Sequence, residues 1–126
     1  MLNKILSFIV NEENKILLLR NNPLDPIHGG DFWYTVTGGF EDYDKSGEDV
    51  VKREIKEETN LDVKETFYLN WIFKYRDKNL DCTEYAYIAF VKKEEITLDE
   101  TENVDYTWCD LDVEECNFNF ETIIEN

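Results

Sequence analysis

Residues 50 to 58 read Val-Val-Lys-Arg-Glu-Ile-Lys-Glu-Glu, and no other run constrains the fold as tightly. On a helix, Glu54, Glu57 and Glu58 stand at i, i+3 and i+4, so they gather on one face. Val50, Val51 and Ile55 share that arc, while Asp49, Lys52 and Lys56 fall on the opposite, solvated side. The chain is therefore expected to fold around a helix that brings three carboxylates to the margin of its buried face. Ser46 is placed to cap its N-terminus with Asp49 at N3, giving a helix over residues 47 to 59.

Like charges at this spacing cost about 0.2–0.5 kcal/mol per pair when exposed. Partly buried, they cost far more unless a cation neutralises them. Oxygen-only ligands suit Mg²⁺ or Mn²⁺ better than zinc, and Mg²⁺ completes its shell with waters and substrate phosphates. That points to a phosphorylated substrate. The plainer alternative is a solvated acidic face in a chain with 29 acidic against 13 basic residues. The mixing of acids with apolar residues on one arc argues against it.

Around this helix the chain alternates. Residues 2 to 10 and 15 to 20 form a hairpin about Asn11 to Asn14, and residues 32 to 37 form a third strand entering a Gly38-Gly39 turn. Residues 21 to 31 hold both prolines and two glycines and suit an ordered turn or substrate-side loop. Residues 63 to 75 and 80 to 91 are strands joined at Asp77 to Asn79, and residues 92 to 103 are a polar connection. Residues 104 to 109 are the last strand, and residues 113 to 124 a terminal helix behind Asp112. This order implies an α+β fold, a mixed sheet with helices on its faces, in one domain over residues 1 to 126.

Composition narrows the partners. A formal charge of −16 makes nucleic acid an unsuitable partner, because such binding depends on neutralising phosphates with Lys and Arg. The same field repels a nucleotide and makes a bridging cation more necessary. Cys82, Cys109 and Cys116 form neither a metal spacing nor an even disulfide set and are read as reduced thiols. The first residues lack the apolar core of a signal peptide, and no apolar run is long enough to span a bilayer, so a cytoplasmic protein without a membrane partner is expected.

The stretch from Gly39 to Leu61 resembles the Nudix hydrolase box, G-x5-E-x7-R-E-U-x-E-E-x-G-U, with U aliphatic. Gly39, Arg53, Glu54, Ile55, Glu57, Glu58 and Leu61 meet it, whereas Lys45 stands at the first Glu and Asn60 at the last Gly. Asn60 follows the helix, where the chain turns through the left-handed region, and Asn is the best substitute for Gly there. Lys45 replaces an expected partner of Arg53 with a like charge. Asp44 and Glu48 are near enough in sequence to take that place, and Lys45 could instead contact substrate phosphate as a point charge.

The resemblance implies an α/β/α sandwich with the catalytic helix after the Gly-Gly loop. It also implies that Glu54, Glu57 and Glu58, with the Gly39 carbonyl, hold Mg²⁺ or Mn²⁺ and that Arg53 orients Glu54. Ahead of the box, Asp31 to Gly38 is similar to the D-F-W-x-x-V-T-G of members that cleave dihydroneopterin triphosphate and deoxynucleoside triphosphates. Thr101 to Trp108 looks like the same branch, where a Glu six residues before a Trp reaches the metal site. Glu102 is thus a candidate ligand or base, set against a solvated acid beside Asp99 and Glu100. Arg20, Trp33 and Lys45 are candidates for substrate binding. An ordinary strand-end ion pair is the other reading of Arg20, and core packing that of Trp33. His28, alone of its kind, is read as a loop residue.

The implied reaction is hydrolysis of a nucleoside or pterin triphosphate to monophosphate and pyrophosphate, by a monomer or homodimer. ADP-ribose and dinucleoside polyphosphates are variants of it. The competing class is a weakened domain that binds a nucleotide without turnover; Lys45 favours it and the intact three acids oppose it.

Overall fold

The computed structural model describes residues 2–25 and 30–110. His28, Cys116 and the expected helix over residues 113 to 124 lie outside them. Seven strands and one helix follow in the order β1 (Leu2–Val10), β2 (Lys15–Asn21), β3 (Trp33–Tyr34), β4 (Val36–Gly39), α1 (Gly47–Thr59), β5 (Val63–Asp77), β6 (Leu80–Val91) and β7 (Asn103–Asp110). The architecture is the expected α+β one, a mixed sheet with a helix on one face.

Strand pairing falls into two blocks. In one, β1 pairs antiparallel with β4 and parallel with β6, and β6 pairs antiparallel with β5. In the other, β2 pairs antiparallel with β3 and β7. The β1–β2 hairpin joins the blocks, with Val10 opposite Ile16. Its turn is held by the Asn11 side chain, whose Oδ1 accepts from the amides of Glu13 at 2.8 Å and Lys15 at 3.2 Å. The β5–β6 turn has only two residues, Lys78 and Asn79, both at positive φ, which matches the twist of the strands it joins.

Burial of Ile5 to Val10 without a break marks β1 as a strand covered on both faces. Ile5 and Ile9 pack with Leu17, Leu19, Val36, Ala89 and Val91 under Val50, Val51 and Ile55 of α1. Leu6 and Phe8, on alternate positions, pack on the other face with Ala86, Trp71 and Phe73. Each fully buried aliphatic side chain contributes roughly 1.5–3 kcal/mol, so the three on α1 hold the helix firmly to the sheet. Cys82 is buried and Cys109 packs on the second cluster, as packing residues should.

Three expectations change. The single strand over residues 32 to 37 is two short strands, because at Thr35 the chain leaves β2 and joins β1. Thr35 is buried there, and its hydroxyl donates to the Ser7 carbonyl. Gly38 and Gly39 form no turn but end β4, opposite Ile5 and Lys4. The connection over residues 92 to 103 is also less polar than expected, since Ile96 is buried in the core under α1.

Candidate active site

The helix forms where its caps dictate. The Ser46 hydroxyl accepts from the Asp49 amide at 3.3 Å, and Asn60 closes the C-terminus at φ 65°. Of the three glutamates, Glu58 is 7% exposed and Glu54 is half-buried. Glu57, whose side chain is 55% exposed, sits at the solvent rim instead of the shared arc.

Arg53 ties this face to the preceding loop. Its guanidinium donates to both oxygens of Asp44, at 2.7 and 3.3 Å, to Glu54 Oε1 at 2.9 Å and to the Gly39 carbonyl at 3.1 Å. Glu57 Oε1 lies 3.8 Å away, and the Tyr43 ring covers the guanidinium at 5.4 Å. Asp44, 3% exposed at its side chain, therefore provides the acid that Lys45 does not. The hydrogen bond from Arg53 holds the Asp44 carboxyl below its usual range, and Asp44 in turn is the largest cause of the raised pKa of Arg53. Lys45 is exposed, and its amide donates to Asp49 Oδ2.

Glu54, Glu58 and Glu102 line one cavity of about 480 Å³ with Gly38, Gly39 and Asn103. The Glu102 loop is tied from two sides. The Asn22 amide donates to the Glu102 carbonyl at 2.9 Å, and Asn103 Nδ2 donates to Glu58 Oε1 at 3.2 Å. Burial, then Glu102 and Glu54, push the Glu58 carboxyl up to about 9. Burial, then Glu57, raise Glu54, with Arg53 opposing.

Other expected residues lie apart. Arg20 makes a bidentate pair with Asp31, both contacts 2.8 Å, and Trp33 stands opposite Arg20 in the β2–β3 pairing. Neither they nor Lys45 nor Glu57 line the cavity, whereas Lys4, Asp25, Phe32, Tyr34, Tyr75 and Glu84 do. Asn21 and Asp25, from the described part of the Pro/Gly segment, line the cavity. Sequence reasoning missed Gly38 and Asn103. A Cβ on Gly38 would lie 2.3 Å from Glu54 Cδ, so only glycine leaves room for that carboxyl. Asn103, beside Glu102, carried no signal of its own.

The profile of the NUDIX domain family matches residues 3–121. The chain belongs to the NUDIX domain family. Among curated proteins, none matches the sequence. Solved structures share the Nudix fold at low identity. The MutT protein from Methanosarcina mazei Go1 is 22% identical at a TM-score of 0.72, covering 87% of this chain and 77% of its own. The NUDIX domain of Shewanella oneidensis NrtR, solved with ADP ribose, is 21% identical at 0.74, covering 99% and 84%. A C. elegans Ap4A hydrolase is 16% identical at 0.70, covering 99% and 98%. Membership of that family makes the chain a Nudix pyrophosphohydrolase.

Nudix hydrolases use divalent metal ions. Among the described residues, no three His, Cys, Asp or Glu side chains are grouped closely enough to hold an ion as they stand. Arg53 Nη1 lies 2.9 Å from Glu54 Oε1 and 3.8 Å from Glu57 Oε1. By chemistry the donors fit a hard cation. They are oxygens only, and two of them, Glu54 and Glu58, are partly desolvated carboxylates whose pKa values are raised by burial and then by neighbouring carboxylates, which is the condition a divalent ion relieves.

Proposed function

We propose that this Nudix hydrolase cleaves a nucleoside or pterin triphosphate to the monophosphate and pyrophosphate with Mg²⁺ or Mn²⁺. The observation that carries this is the joint lining of one cavity by Glu54, Glu58 and Glu102. Glu54, Glu57, Glu58 and the Gly39 carbonyl would hold the metal, which when bound neutralises phosphate oxygens and lowers the pKa of a water. Arg53 keeps Glu54 oriented through a charge-assisted bond and is itself fixed by Asp44. Glu102 takes the proton of the attacking water or completes the ligand set. Its loop, fastened through Asn22 and Asn103, keeps that carboxylate near Glu58 at no further cost in order.

The triphosphate reading draws on the similarity of residues 31 to 38 and 101 to 108 to the dihydroneopterin triphosphate and deoxynucleoside triphosphate branch. Arg20, Trp33 and Lys45, the substrate-binding candidates, do not line the cavity and are given no part in this reading. Binding without turnover is disfavoured, because its one argument was a missing partner for Arg53, and Asp44 is that partner.

The test is release of pyrophosphate and orthophosphate from nucleoside triphosphates, dihydroneopterin triphosphate, ADP-ribose and dinucleoside polyphosphates, with Mg²⁺, Mn²⁺ or EDTA. Metal-dependent pyrophosphate from a triphosphate is expected. Products only from the diphosphate-linked compounds would replace the proposed substrate class.

A further inference from the structure

Away from the glutamates of α1, the same cavity is lined by a second polar group that hydrolysis does not use. Glu84 on β6 is 8% exposed, and its carboxyl accepts from the Tyr75 hydroxyl on β5. Register explains the contact. Tyr75 stands opposite Cys82, two residues from Glu84, so the two side chains leave the same face of the sheet. Lys4 on β1 is beside Glu84 in the parallel pairing and beside Gly39 in the antiparallel one, between this group and the Arg53 end. Phe32, Tyr34 and Leu19 complete this part of the lining.

A carboxylate offers about four acceptor sites, and one oxygen accepting from a tyrosine leaves most of them open. Tyr75 is the hydrogen-bond donor that Glu84 has among the described residues. Burial raises its pKa, with Tyr75 and then Lys4 acting the other way, as expected for a desolvated acceptor only partly supplied with donors. The described residues leave those acceptor sites open to a donor that enters the cavity. Phe32 and Tyr34 add flat aromatic surface suited to a planar ring.

We infer that Glu84, oriented by Tyr75, selects the base: it accepts parallel hydrogen bonds from a ring N–H and the adjacent exocyclic amine, the edge shared by guanine and 2-amino-4-oxo-pteridines. This rests on the triphosphate reading and narrows its substrate class. Adenine and cytosine set an acceptor nitrogen beside the amine, and uracil sets carbonyls beside its N–H. Each of these turns a lone pair toward the carboxylate, a mismatch that rejects it.

The test titrates guanosine, neopterin, adenosine, cytidine and uridine into metal-free protein, followed by protein NMR, for the wild type, Glu84→Gln and Tyr75→Phe. Guanosine or neopterin should bind the wild type about tenfold more tightly than the other three, the scale of a bidentate pair. In Glu84→Gln, whose amide pairs one acceptor with one donor, that preference should fall below about threefold. Tyr75→Phe should lose part of it, and carries the test alone should Glu84→Gln not fold. A wild type without the preference, or a preference that survives the substitutions, overturns the inference. Phosphate-free ligands and the absence of metal keep this separate from hydrolysis. Failure of the hydrolase reading would appear as no pyrophosphate from any triphosphate, whatever the base preference.

Discussion

At the scale of single residues, the exchange at positions 44 and 45 decides how the departure from the family pattern is read. A lysine at the motif glutamate suggests a damaged site, yet Asp44 grips Arg53 through both oxygens. Asp44→Ala should lower kcat roughly 10–100-fold, the range for loss of an orienting partner. Adding Lys45→Glu to that variant should restore much of the rate, because it returns an acid to the motif position. A pyrophosphate assay reads both, and an unimpaired Asp44→Ala would remove the positioning role. Glu84 gives a pH prediction. Its folded pKa is raised above the ordinary value of 4.5, so burial of its charged form weakens the fold. That contribution is absent below pH 4.5 and grows as pH rises through the folded pKa. Melting of Glu84→Gln should therefore decline less from pH 4.5 to 7 than that of the wild type. The shared placement of Glu54 and Glu58 was legible in sequence because helical spacing is local, whereas Glu57 stands at the rim. Glu84 and Asn103 were not, because a sheet and a loop bring them in from distant positions.

At the scale of elements, α1 was legible at both ends, since Ser46 and Asn60 act through bonds within a few residues. The break at Thr35 was not, because the choice between pairing with β2 or with β1 depends on strands far away in sequence. Gly38 shows how a strand residue serves the helix. Gly38→Ala should displace the Glu54 carboxyl and reduce activity severely, while the fold, measured by circular dichroism and melting, suffers less than the rate. Normal activity in Gly38→Ala would mean that Glu54 need not lie against β4. Asn60→Ala should cost part of the roughly 1–2 kcal/mol that a Cβ pays in the left-handed region, because alanine lacks the short polar side chain with which asparagine offsets it, and Asn60→Gly, without a Cβ, should cost nothing. Chemical denaturation measures both.

For the molecule as a whole, the formal charge of −16 opposes every polyphosphate that approaches. The Debye length shrinks from ~30 Å at 0.01 M salt to ~8 Å at 0.15 M, so kcat/KM at saturating Mg²⁺ should rise over that range. A fall would mean that local cations such as Lys4 outweigh the global field. No helix among the described residues is long and apolar enough to cross a membrane. The parallel pairing of β1 with β6 along its whole length, Leu2 to Val10 against Cys82 to Phe90, carries a further consequence for biosynthesis. β1 leaves the ribosome before β6, and its central partner is complete only after Val91 emerges, on the order of ten seconds later at ordinary elongation rates. Through that interval a strand whose run from Ile5 to Val10 is apolar but for Ser7 waits with one edge open, so a nascent chain stalled before β6 is the species that a chaperone, or an aggregate, would capture.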